Sequence, residues 1–128
     1  MSEWTNKDLD AIGDAYEIQL TTKRGDRSPR RPLPVWVVRD GDDLYVRSWR
    51  GRDAAWFRSV QRLPEGSIRV DGRELPVTLT VVDDSPRGRL DEVYRAKYRS
   101  SGGEYVDHMV SEQAREAVVR LLPREEEV

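Results

Sequence analysis

Five cationic side chains, Lys23, Arg24, Arg27, Arg30 and Arg31, fall within the segment LTTKRGDRSPRRPLPVWVV (20–38). Gly25, Ser28 and Pro29 lie among them, and these residue types favour a turn over helix or sheet. Guanidinium groups presented from a turn fork onto phosphate or carboxylate, so this loop suits capture of an anionic ligand group. A second cationic group, Arg47, Arg50, Arg52 and Arg58, surrounds Gly51 and flanks the aromatic pair Trp56-Phe57. Arg47 on a strand and Arg58 on the helix that follows can converge on one groove. Three readings compete for the first loop. It is a solvated turn, a charge-and-stacking platform for nucleic acid with Tyr45, Trp49 and Trp56, or the docking point of a small anionic ligand. Together the two groups favour a groove, although each arginine taken singly suits a surface ion pair.

Composition narrows the choice. The chain has 128 residues, enough to bury one core without help from disulfides, and no cysteine, which removes thiolate zinc sites and cysteine nucleophiles. Charged residues make up 36% of it but nearly cancel to a formal net charge of -2, so no global field draws it to nucleic acid or membrane. The cations are 19 Arg and 3 Lys, a bias that coding composition alone produces, so only clustering counts as a signal. His108 is the sole histidine, and Asp40, Asp42 and Asp43 sit where a hairpin turn wants them, so no metal site is expected. His108 beside Asp107 lacks a Gly-x-Ser-x-Gly elbow, and no Gly-x-Gly-x-x-Gly or Walker loop is present. The longest apolar run, PLPVWVV, is too short to span a bilayer, and the opening residues carry no signal-peptide pattern, so a soluble, cytoplasmic protein is expected.

The elements that must position these residues follow from periodicity. Residues 5–15 predict a helix capped by Thr5, with Leu9, Ile12 and Tyr16 on its buried face. A half-buried strand follows with Tyr16, Ile18 and Leu20 on one side. Residues 33–39 and 43–49 predict a hairpin across Asp40-Gly41-Asp42. Its second strand places Tyr45, Arg47 and Trp49 together on a face that reads as a binding surface. Residues 53–62 predict a helix begun by Asp53. Asp71-Gly72 joins strands 67–70 and 73–82, whose Leu75, Val77, Leu79 and Val81 share an apolar face. Residues 89–100 predict a helix lined by Leu90, Val93, Tyr94 and Tyr98. Residues 100–104 predict a flexible turn. Residues 111–122 read locally as helix or as a helical turn followed by a strand. The acidic run 125–127 is expected to fray, leaving 1–124 as one domain.

This order, TTKRGDRSPRRPLPVWVV, DGDDLYVRSWRG, AAWFRSVQ, a DG hairpin, YRAKY and AREAVVRLLPR, resembles the DUF2255 family. More distantly it is similar to the deazaflavin-dependent nitroreductase-like proteins of the flavin-binding split-barrel group. The resemblance implies an α+β, mainly β fold: a six-stranded antiparallel split β-barrel with short flanking helices, usually a homodimer. It also implies that the closing segment is a strand, against local propensity. Under it, Lys23, Arg24, Arg27 and Ser28 fall on the loop that binds phosphate and the acidic tail. Arg47 and Ser48 fall on the strand flanking the cofactor, and Ala55, Trp56 and Arg58 on the helix beside the ring. Tyr94 or Tyr98 falls near the late tyrosine that faces substrate, Tyr98 as the proton donor. The implied cofactor is deazaflavin (F420) or FMN, without metal, and the implied activity is hydride transfer to a small organic substrate. Asp26 and Pro29 depart from the loop pattern. They favour an alternative, a cofactor-free barrel that carries a small metabolite or isomerises or cyclises it with Tyr94, Tyr98, His108 and Asp107. A third reading is an interaction module with no small ligand.

Overall fold

The computed structural model describes residues 4–48, 50–82, 87–99, 106–107, 110, 114 and 117–124. Their strands are β1 (Ile18–Thr22), β2 (Leu33–Val35), β3 (Val37–Asp40), β4 (Asp43–Arg47), β5 (Glu65–Val70), β6 (Arg73–Val82) and β7 (Val118–Pro123). They form one antiparallel sheet in the order β2-β1-β5-β6-β7-β4-β3. The two ends of that order, β2 and β3, are adjacent in the chain with only Trp36 between them. The sheet therefore curls into a nearly closed barrel with one seam, the split barrel that the sequence motifs imply. It has seven strands rather than six because the apolar run 33–39 breaks at Trp36 and pairs in two directions: Val35 with Ile18, and Val37 with Val46. Pro34 sits on the free edge of β2, where its missing N–H costs no ladder bond.

The alternation of each strand fills the barrel. Ile18, Leu20, Val37, Leu44, Val46, Ile68, Val77, Leu79, Val119 and Leu121 form its buried interior, and Leu75 and Val81 pack against it as the apolar face of β6 predicts. The sharpest local signal is the turn between β5 and β6, where Asp71 (φ 52°) and Gly72 (φ 74°) both take the left-handed region that a two-residue hairpin requires. Residues 118–123 form a strand between β6 and β4, so tertiary pairing overrides their local helical preference.

Three α-helices of the described residues cover the barrel. Helix α1 (Asn6–Asp14) is capped by the Thr5 hydroxyl, which accepts from the Asp8 amide at 3.1 Å, and it buries Leu9 and Ile12. Tyr16 does not join that face: it is 55% exposed, because the helix ends at Asp14 and the chain turns before β1. Helix α2 (Ala55–Arg62) follows a 3₁₀ turn at Gly51–Asp53. Its N-cap is Ala54 and not Asp53, which lies inside that turn. Helix α3 (Arg87–Tyr98) lies against the outside of β3 and buries Leu90, Tyr94 and Tyr98 against Val38, Tyr45 and Val118. The face of β4 carrying Tyr45 and Arg47 is thus an interior surface and not an open binding face, while Trp49, its third expected member, lies outside the described residues. So do His108, the expected turn at 100–104 and the acidic tail.

Close backbone approach fixes one position absolutely. A Cβ at Gly66 would lie 2.3 Å from the Thr21 carbonyl of the paired strand, and backbone cannot yield as a flexible side-chain end would. Gly66→Ala is expected to cost about 1–3 kcal/mol of stability, read from the urea midpoint. Gly25→Ala, where a methyl would meet nothing within 4 Å, is the control and should change the midpoint little.

Candidate functional site

The seam creates the site. Continuing the β3–β4 register backwards would set Val35 opposite Ser48, but the Ser48 amide bonds Ala117 instead and the chain departs into the 3₁₀ turn. One edge of β2 is left without a strand partner, and a cavity of about 810 Å³ occupies the split. Leu33, Pro34 and Val35 form one wall. Arg47, Arg50, Ala54, Ala55 and Trp56 form the other. Thr22, Arg24, Arg30 and Arg31 line the end under the β1–β2 loop, and Tyr16, Glu17 and Trp36 line the end at the corner. The β1–β2 register separates these ends, since Ile18 faces Val35 near the corner while the Thr22 carbonyl accepts from the Arg30 amide at the loop.

The loop is built from its own side chains. Asp26 accepts from the Ser28 amide at 2.9 Å and from its hydroxyl at 2.6 Å, which holds the Asp26 carboxyl below its ordinary range, the side-chain bond first. Arg24 donates to the Pro29 carbonyl at 2.8 Å, closing the loop across its neck. Asp26, the departure from the expected pattern, is thus bound within the loop, and it does not line the cavity. The Thr22 hydroxyl is fully buried on the cavity side of β1 and has no hydrogen-bond partner among the described residues.

Of the residues singled out in the sequence, Arg24, Arg30, Arg31, Arg47, Arg50, Ala55 and Trp56 meet in this cavity. Lys23, Arg27, Ser28, Ser48 and Arg58 do not line it. Arg27 turns away to pair with Glu65, which also receives Arg124 at 2.7 Å. Ser28 holds Asp26, Arg58 donates to the Asp53 carbonyl at 3.0 Å, and Ser48 is buried beneath the wall. Thr22, Trp36 and Glu17 line the cavity without having been singled out as site residues. Arg30, Arg31 and Arg50 carried a signal in their clustering. Trp36 and Glu17 carried none, because the break at Trp36 is set by long-range pairing.

Arg47 lies at the base of the cavity with its guanidinium fully buried. Nη1 donates to Asp91 Oδ1 of α3 at 2.6 Å, and the group lies 5.3 Å from the centre of the Tyr94 ring. A buried pair of this kind binds β4 to α3 and leaves a costly lone charge if either partner is removed. Tyr94 and Tyr98, the candidate proton donors, do not line the cavity. Burial pushes both phenols well above their ordinary range, and Arg47 only partly offsets this at Tyr94.

The Tyr98 hydroxyl has a backbone role. It accepts from the Val37 amide at 3.1 Å and donates to the Tyr16 carbonyl at 2.7 Å. By the β1–β2 register, Glu17 and Trp36 would follow Ile18 and Val35, and Tyr16 and Val37 would be the pair after that. The phenol therefore replaces a missing rung at the corner. Its ring stacks on Trp36 with centroids 3.9 Å apart and planes 3° from parallel. Lys97 adds a bond from Nζ to the Val37 carbonyl at 2.5 Å, and burial lowers its amine to about 8 against a small opposing effect of Asp14.

A strongly bent antiparallel sheet with one seam and a cavity in that seam defines a split-barrel protein. The family described as uncharacterized protein conserved in bacteria (DUF2255) matches residues 8–121, and the chain belongs to it. Among curated proteins, none matches this sequence. Solved structures with the same fold include the haem-storage protein HutZ from Vibrio cholerae, 16% identical with a TM-score of 0.64 over 94% of this chain and 91% of that one. They also include an F420-H2 dependent reductase, FDR-A, 16% identical with a TM-score of 0.61 over 84% and 93%. An F420 reductase is 18% identical with a TM-score of 0.62 over 92% and 93%. At these identities the likeness is one of fold. Among the described residues no helix is long and apolar enough to cross a membrane, and no cluster suits a metal ion.

Two measurements follow from the corner. Tyr98→Phe strands the Val37 amide and the Tyr16 carbonyl, so it should cost about 1–3 kcal/mol in urea denaturation. The unfolded lysine, with its ordinary value of 10.5, binds more protons than folded Lys97 at about 8, so stability should rise between pH 8 and 10. Lys97→Met should flatten that rise; an unchanged slope would assign it to another group.

Proposed function

We propose that the seam holds a flavin-type cofactor, deazaflavin or FMN, and that the protein directs a hydride to a small organic substrate. The observation that carries this reading is a cavity whose arginine-lined end continues between the apolar Leu33–Val35 wall and Ala54, Ala55 and Trp56. Its volume, about 810 Å³, lies in the range of about 300–1,000 Å³ common for cofactor and ligand sites. The donor set fits an anionic cofactor: Arg24, Arg30 and Arg31 supply forked donors, and the buried, unpartnered Thr22 hydroxyl supplies one more. F420 reductases among the structures of like fold support the same choice.

In this account Arg24, Arg30 and Arg31 hold the anionic tail, and Ala55 and Trp56 flank the planar body. Arg47 fixes the wall through Asp91 and does not bind the ligand with its full guanidinium. Lys23, Arg27, Ser28, Ser48 and Arg58 support the loop and wall. Tyr98 holds the corner, so a proton needed by the product comes from solvent or from another group at the cavity. The bound cofactor would supply the hydride chemistry, while the chain supplies orientation and electrostatics. The homodimer that the family resemblance implies, and the cytoplasmic location expected from the sequence, belong to this reading. The rival, a cofactor-free barrel, drew on the loop departures at Asp26 and Pro29 and on Tyr94, Tyr98, His108 and Asp107 for proton transfer. Asp26 keeps its charge but is bound to Ser28 away from the cavity lining, Pro29, Asp107 and both tyrosines do not line the cavity either, and His108 lies outside the described residues.

Titration with FMN and with deazaflavin, read by fluorescence and thermal shift, tests the reading. Saturable binding is expected, weakened at least about tenfold by Arg24→Ala with Arg30→Ala. Arg27→Ala, whose side chain is held by Glu65, should stay within about twofold, a difference of roughly 0.4 kcal/mol. Absence of binding to both cofactors, or indifference to the Arg24 and Arg30 changes, would overturn it.

A further inference from the structure

The two ends of the cavity differ in charge. Glu17 and Thr22 lie five residues apart on one extended segment, which places the carboxylate about 17 Å from the arginine end. That exceeds the screening length of about 8 Å at physiological salt, so the arginines there do not neutralise Glu17 through solvent. Two cations stand near the corner: Arg47, whose charge is matched by Asp91, and Lys97, whose Nζ is bound to the Val37 carbonyl and feels Asp14. Glu17 is exposed and forms no salt bridge with a described residue. Beside it, Trp36 is a rigid wall. One ring face rests on Tyr98, whose hydroxyl is tied to two backbone groups, and Tyr16 packs edge-on at 6.0 Å from Trp36 and 5.4 Å from Tyr98.

We propose that Glu17, with Trp36 as platform, forms a separate subsite for a planar aromatic substrate carrying a positive charge or a strong hydrogen-bond donor. An indole ring attracts a cation over its electron-rich face, and a carboxylate beside it strengthens the attraction and repels an anion. The subsite therefore gives the cavity a direction: anionic groups settle under the loop and cationic or donor-bearing rings at the corner. It deepens the oxidoreductase reading by naming the substrate class, and it rests on that reading only for its role as the substrate end.

The test uses proflavine, a planar cationic fluorophore, on the cofactor-free full chain, with FMN titrated in parallel. Saturable proflavine binding is expected. Glu17→Gln should weaken it about three- to fivefold, the upper part of the range for an exposed ion pair. Glu17→Asp should retain most of the affinity, and FMN affinity should stay within about twofold in both variants. No saturable proflavine binding, or binding indifferent to Glu17→Gln, would overturn the subsite. Glu17-dependent proflavine binding without any FMN or deazaflavin binding would support the subsite while removing the cofactor reading, so the two fail separately.

Discussion

One stretch of chain, Leu33 to Asp40, has to serve both ends of the sheet, and everything else about this molecule follows from how the corner at Trp36 is held. The first half pairs with β1, the second with β4, and neither can pair with both. A gap therefore opens where the next rung should be. The Tyr98 hydroxyl enters it as donor and acceptor together, which a phenol can do and a phenylalanine ring cannot. That single group fixes where α3 lies, and α3 brings Asp91 to Arg47 and the Tyr98 ring to Trp36.

The seam turns a topological leftover into a chemical site. Arginine is abundant in the chain, and five described arginines outside the cavity spend their charge on carboxylates: Arg39 on Asp10, Arg73 on Asp8, Arg120 on Asp43, Arg27 and Arg124 on Glu65. Those beside the free edge of β2 sit differently, around a cavity whose wall is backbone and apolar side chain. Arginine count alone says nothing here. Position relative to the seam separates a structural ion pair from a donor that can meet a ligand.

Local signals made several parts readable before any coordinates. Thr5 with Asp8 set the start of α1, Asp71-Gly72 set a hairpin, and alternation along 73–82 set a core strand. The closing strand was legible only through family resemblance, since the sequence 111–122 has good helix formers and the strand state of Val118–Pro123 comes from pairing with β4 and β6. The break at Trp36 and the Asp91 partner of Arg47 were not legible, because each depends on residues far away in sequence. For the site, the loop arginines and Ala55-Trp56 were visible. Arg27 and Arg58 looked equivalent to their neighbours and differ only by which partner the fold gives them.

The free edge of β2 has a further consequence that concerns solubility. An uncovered strand edge is a template for another molecule's strand, and a barrel that stays open risks assembling edge to edge. Here the edge is three residues long and centres on Pro34. With Val35 and Leu33 facing β1, the outward position belongs to a residue that has no N–H to offer. An incoming strand would find acceptors without donors and could not extend the ladder. The same proline that ends the apolar wall thereby guards the protein against polymerising through its own seam.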